Sequence, residues 1–192
     1  RRPRDGVVFA IVAPKTGGKT NYLSQYHLDG ANRMVTATLV RRFGAFSQIG
    51  AAAGESGEIE AVVVDDELGY VYYSDERFGI RKYHADPDHS EASTELAVLG
   101  RAAYQGDREG LAIYQMANGG GYLVSSDQVP GATRVMLYAR DGSARGLHDQ
   151  PLLAAIPTGA DATDGLEVTS TPMPGYPAGL LAMMNSTPKN FL

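Results

Sequence analysis

Apolar and polar residues alternate along most of the chain in short runs separated by turn residues, the signature of half-buried strands. The alternation predicts strands near Val7–Ala13, Leu23–Leu28, Val35–Arg42, Glu60–Val64, Tyr70–Ser74, Ile80–His84 and Leu96–Leu99. It predicts further strands near Leu111–Tyr114, Gly121–Ser125, Val135–Tyr138, Leu152–Ile156, Leu166–Thr169 and Gly179–Met183. The runs break at Asp29-Gly30, Leu68-Gly69, Asn118-Gly119-Gly120-Gly121 and Asp141-Gly142, where glycine and Asx residues favour turns. No stretch of 11 or more residues carries a 3.6-residue apolar stripe, so the chain is expected to be all-β.

The strands also repeat. Ile59-Glu60-Ala61-Val62-Val63-Val64 resembles Arg108-Glu109-Gly110-Leu111-Ala112-Ile113, and both resemble Thr163-Asp164-Gly165-Leu166-Glu167-Val168. The acidic residues stand 49 and then 55 residues apart. After each comes a glycine-marked turn and a second strand, beginning at Tyr70, Gly121 and Gly179, and in the complete units a third and a fourth. Four strands per roughly 50 residues is the spacing of a β-propeller blade. The expected architecture is the end of one blade (1–45), two blades (58–100 and 107–157) and the start of another (163–192). Such an arc leaves apolar faces open at both ends. The remaining blades are expected from the rest of a longer chain or from a second copy, and the opening Arg1-Arg2-Pro3-Arg4-Asp5-Gly6 reads as an internal start.

Composition narrows the chemistry. With no cysteine, disulfides and thiolate metal sites are excluded, and any metal must be held by oxygen or imidazole. The 4 histidines (27, 84, 89, 148) show no His-x3-His spacing, which argues against zinc, and three of them (84, 89, 148) read as solvated turn residues. A net charge of −5 argues against nucleic-acid binding, and a polyanionic substrate would need local Lys/Arg or bound cations to hold it. No apolar run approaches the ~18 residues of a membrane-spanning helix.

In a blade, the start of the first strand and the end of the second lie at the same mouth of the central channel. Glu60 is thereby expected beside Glu76, Glu109 beside Gln128, and Asp164 beside Asn185, with Asp107 on the same rim. A loop on that face carries Lys15 and Lys19. Carboxylates and amides converging without His or Cys favour Ca²⁺ over zinc or copper.

These residues resemble a known family. Ile59 to Glu76, Asp107 to Tyr114, Gly121 to Gln128, Thr163 to Val168 and the closing Lys189-Asn190-Phe191 are similar to segments of the β-propeller phytases, calcium-dependent alkaline 3-phytases, and the similarity matches the family's C-terminal part. The resemblance implies a six-bladed propeller, several calcium ions at one channel mouth, and removal of phosphate from phytate (myo-inositol hexakisphosphate), bound as its calcium complex, by an activated water. It implies calcium ligands at Glu60, Asp107, Glu109, Gln128 and Asp164, catalytic roles for Glu60 and Glu76, and phosphate contact by Lys19. It also implies secretion or periplasmic residence. The chain departs from the family at Thr20, Thr158 and Asn185, positions where acids are usual, and Asp161 stands close to Thr158 but out of register.

Other readings compete. Ala13-Pro14-Lys15-Thr16-Gly17-Gly18-Lys19-Thr20 fits a relaxed phosphate-binding loop, and Val62 to Glu67 could pass for the magnesium-holding strand of a nucleoside triphosphatase. That fold needs crossover helices, which the pattern lacks. A six-bladed calcium lactonase would hold one metal and have no phosphate affinity. A non-catalytic binding propeller would be indifferent to loss of Glu109 or Asp164.

Overall fold

The computed structural model describes residues 1–192 and contains strands but no helix. Fourteen strands form four antiparallel sheets that follow one another in chain order. The first sheet holds β1 (Val8–Val12), β2 (Thr20–Ala31) and β3 (Met34–Ala45). The second holds β4 (Ile59–Asp65), β5 (Tyr70–Asp75), β6 (Gly79–His84) and β7 (Ala97–Leu99). The third holds β8 (Asp107–Gln115), β9 (Gly121–Gln128), β10 (Arg134–Ala139) and β11 (Leu152–Pro157). The last holds β12 (Leu166–Thr169), β13 (Leu180–Asn185) and β14 (Asn190–Phe191).

Each sheet is an up-and-down meander, and β4, β8 and β12 lie next to one another as the inner strands. This is the blade arrangement of a β-propeller, with two complete four-stranded blades flanked by two of three strands.

Period-two alternation explains the packing, because successive side chains of a strand serve different interfaces. On β5, Val71 and Tyr73 pack with Leu23 and Phe43 of the first blade, whereas Tyr72 points the other way, into a cluster with Leu111, Leu123 and Met136 of the third. On β9, Leu123 joins that cluster while Val124 faces Met183 of the last blade. Every inner interface is thereby an apolar layer shared by two blades. Other surfaces have no such partner: Val8, Val12, Leu39 and Val40 are exposed on the first blade, Leu152, Leu153 and Ile156 on the outer strand of the third, and Phe191 on the last.

Two expectations need correction. The turn placed at Asp29-Gly30 lies further on, because β2 and β3 stay paired through Ala31↔Met34. The chain reverses at Asn32-Arg33, both in the left-handed region (φ 55° and 62°), as a two-residue hairpin turn requires. Strand β14, absent from the sequence reading, is a two-residue pairing with Met184 and Asn185 and too short for periodicity to reveal.

At the channel end opposite the candidate site, Arg140 follows β10 and reaches the end of β4, donating to both carboxylate oxygens of buried Asp65 at 2.6 and 2.7 Å. This bidentate pair ties the second blade to the third.

Candidate functional site

The site forms where β4, β8 and β12 begin. In β4, Ile59 pairs with Asp75 and Val62 with Tyr73, leaving one extra residue on the inner strand. In β8, Arg108 pairs with Asp127 and Leu111 with Ser125, the same bulge. Glu60 and Glu109 sit in these two bulges, which re-aim a side chain without changing the strand that carries it. Beside Glu109, Gly110 donates its N–H to Ser126 Oγ at 2.9 Å. A Cβ on Gly110 would meet Leu166 N at 2.7 Å, so glycine lets β8 and β12 approach. Asp164, two residues before Leu166, which pairs with Met183, occupies the corresponding place in the last blade.

The mouth collects acids faster than it neutralises them. The carboxyls of Glu60 and Glu109 lie close enough to shift each other's proton affinity. Burial first, then the charges of Glu60, Asp164, Asp107 and Glu76, push Glu109 up to about 8. Glu60 is raised too, by burial and by Glu58 and Glu76. Glu76 is raised chiefly by burial, and its Oε2 accepts the Glu58 N–H at 2.9 Å, which fixes the carboxylate against the start of β4. Gln128 donates its side-chain N–H to Asp164 at 2.6 Å. Glu60, Glu76, Asp107, Glu109, Gln128 and Asp164 therefore share one mouth.

Two cations are paired within this group: Lys15 with Glu58 at 2.8 Å, and Arg77, which donates to Asp107 at 2.9 Å. Lys19, on the same β1–β2 loop as Lys15, is exposed and pairs with no carboxylate. Sequence reasoning missed Glu58 and Arg77. Glu58 had a signal, since it precedes Glu60 as Asp107 precedes Glu109, by two residues at the head of an inner strand. Arg77 had none; only the turn between β5 and β6 brings it to Asp107.

Asn185 does not join the rim. Residue pairing sets Asn185 level with Asp75 and Asp127, and Ser186 level with Glu76 and Gln128, one position from the expected register. The three equivalent side chains are buried anchors for the loop that leads into the inner strand. Asp75 accepts from Ser47 N at 2.9 Å, Asp127 from Gly106 N at 2.8 Å, and Asn185 Oδ1 from Asp161 N at 2.9 Å. Asp75 and Asp127 are balanced by Arg81 and Arg134, while neutral Asn185 donates to Asn190 at 3.1 Å. The amide for acid exchange at 185 thus comes with a neutral partner. Asp161 accepts from Gly131 N at 2.7 Å and from the Thr187 hydroxyl, and Thr158 donates to Thr133 O at 2.8 Å, so both brace loops.

The nucleoside triphosphatase reading fails on topology. The Lys15–Lys19 loop joins antiparallel strands with no helix behind it, and Asp65 lies at the far end of β4 from Glu60, engaged by Arg140.

Comparison with known proteins shows the family. Residues 3–187 match the Phytase family. The chain is 32% identical over 183 residues to the 3-phytase of Bacillus subtilis (strain 168), an alignment that takes in 92% of this chain and 43% of that protein. The chain therefore spans less than half the length of that curated relative. A match that runs through all four blades leads to one assignment: the chain belongs to the phytase family.

Proposed function

We propose that this chain supplies the calcium-holding rim of a phosphomonoester hydrolase that removes phosphate from phytate. The observation that carries the reading is the excess of carboxylates at the mouth: Glu58, Glu60, Glu76, Asp107, Glu109 and Asp164 against paired Lys15 and Arg77, with Glu109 held protonated near neutral pH by burial and its neighbours. Like charges at this density call for a cation, and an all-oxygen donor set fits Ca²⁺. Glu60, Asp107, Glu109, Asp164 and the carboxamide oxygen of Gln128 would hold it. Calcium, when bound, supplies positive charge against phosphate oxygens and lowers the pKa of water at the site.

The chain's own groups divide the remaining work. Glu76 is locked by the Glu58 N–H and has a raised proton affinity, which suits it to accept a proton from the attacking water. Glu60, next to it and also raised, keeps charge close to the same point. Lys19 is free to meet a phosphate, and Lys15 can exchange Glu58 for one. Phytate, as its calcium complex, is the proposed partner, and secretion or periplasmic residence is proposed with it.

Phosphate released from phytate at neutral pH, with added calcium and then with excess chelator, tests the reading. Release supported by calcium and stopped by chelator upholds it. Release indifferent to both overturns the metal's role, and calcium binding that is unchanged in Glu109→Gln overturns the site.

A further inference from the structure

Three of the four histidines gather at the opposite end of the second blade. His84 ends β6, whose first residue, Gly79, adjoins the Glu76–Phe78 turn at the acidic mouth. Five residue steps along a strand separate the two ends by about 17 Å. His89 and Glu91 come from the β6–β7 loop, and one ligand atom each of His84, His89 and Glu91 lies within 4.8 Å of the others. His148 arrives from the β10–β11 loop, on the far side of Tyr70, whose ring lies 5.6 Å from that of His84 and 5.5 Å from that of His148.

Burial first, then His89, lowers the proton affinity of His84. The only hydrogen bond made by the three side chains runs from the Glu91 N–H to His89 Nδ1 at 3.0 Å, which leaves His84 and the Glu91 carboxylate uncommitted. The His84 and His89 rings stack at 3.5 Å with 19° between planes. A shared ion must lie near both ring planes, so one ring has to turn. His84 is half-buried under Tyr70, whereas His89 is exposed on its loop and is the ring that turns.

We propose that His84, His89 and Glu91 form a second metal site, distinct from the acidic mouth and suited to a borderline divalent ion such as Zn²⁺. Two imidazoles and a carboxylate with water completing the shell are a zinc donor set, and imidazole discriminates against Ca²⁺ and Mg²⁺. The mouth offers only oxygen, so the two sites separate by ligand chemistry. An ion here would also stiffen the β6–β7 loop, whose Asp86 and Asp88 hold Arg2 at 2.7 and 2.6 Å and so fasten the N-terminal segment.

Calorimetric titration of Zn²⁺ into the calcium-saturated protein tests this. The expected result is one equivalent bound, an affinity that falls as the pH is lowered because metal and proton compete for the same nitrogens, and a loss of at least about tenfold in His84→Ala and in His89→Ala. Glu109→Gln is expected to bind zinc as the parent does. His89 is exposed, so its substitution leaves the fold intact, and unchanged calcium binding by both variants verifies folding. No zinc binding, binding that survives both histidine substitutions, or binding lost in Glu109→Gln would overturn the proposal.

Discussion

Glu109 is where the site's electrostatics concentrate. A buried carboxyl facing four other acids carries a proton that a solvated glutamate would have lost, so the folded, metal-free protein binds protons more tightly than the unfolded chain. The sign follows directly. Between the ordinary glutamate value and about 8, raising the pH costs the folded state stability, and Glu60 and Glu76 act in the same direction. With chelator present, the melting temperature is expected to fall from pH 5 to pH 8. With calcium, which binds the ionised form, the fall should vanish or reverse. Glu109→Gln removes the repulsion and is expected to raise the metal-free melting temperature by about 3 °C, the shift of about 1 kcal/mol in a chain of this size. The same variant should lose about 10–100-fold in calcium affinity or phosphate release. Arg77 works in the opposite sense, because its guanidinium occupies Asp107. Arg77→Gln is expected to tighten calcium binding by about threefold to tenfold in a titration, the range of one partly exposed charge pair.

At the scale of the element, the inner strand and the loop before it form one device repeated from blade to blade. A bulge aims the glutamate, and a buried acid or amide on the neighbouring strand holds the incoming loop. Asp127 is fully buried between Arg134 and the N–H groups of Gln105 and Gly106. Asp127→Ala leaves Arg134 uncompensated and both donors unpaired, and is expected to cost about 3–5 kcal/mol in denaturant unfolding. Gly110→Ala tests the bulge itself. Its Cβ would press on Leu166 N and Cγ, at 2.7 and 2.9 Å, forcing β8 from β12 at about 1–3 kcal/mol. Calcium affinity should drop with it, because Glu109 and Asp164 move apart. Neither anchor nor bulge was visible in the repeats. Asn185 aligned with Glu76 and Gln128 by sequence, and only the residue pairing set it level with Asp75 and Asp127.

At the scale of the whole molecule, stacked blades share apolar layers, so an end blade exposes the layer it would have shared. Val8, Val12, Leu39 and Val40 on the first blade and Phe191 on the last are such surfaces, and the outer strand of the third blade exposes Leu152, Leu153 and Ile156 beside the three-stranded last blade. Exposed sheet faces of this kind drive association. The isolated chain of 20.4 kDa is expected to show a concentration-dependent mass above that of the monomer by light scattering. A strict monomer at high concentration would show that the flanks are tolerated in water.

The sequence by itself determined the strands, their grouping into blades and the acids of the mouth. All three are local or periodic properties: alternation of period two, a turn every few residues, and an acid recurring at the head of each inner strand. Tertiary structure decided what depends on contacts between distant segments. It placed Arg77 on Asp107 and Glu58 beside Lys15, turned the β2–β3 hairpin at Asn32-Arg33 and withdrew Asn185 from the rim. It also gathered His84, His89 and Glu91 at the far end of a blade, with His148 beyond Tyr70. The reason is physical. A period-two pattern fixes which face a side chain takes, but the register of pairing, the bulges and the loop paths fix which other residue it meets.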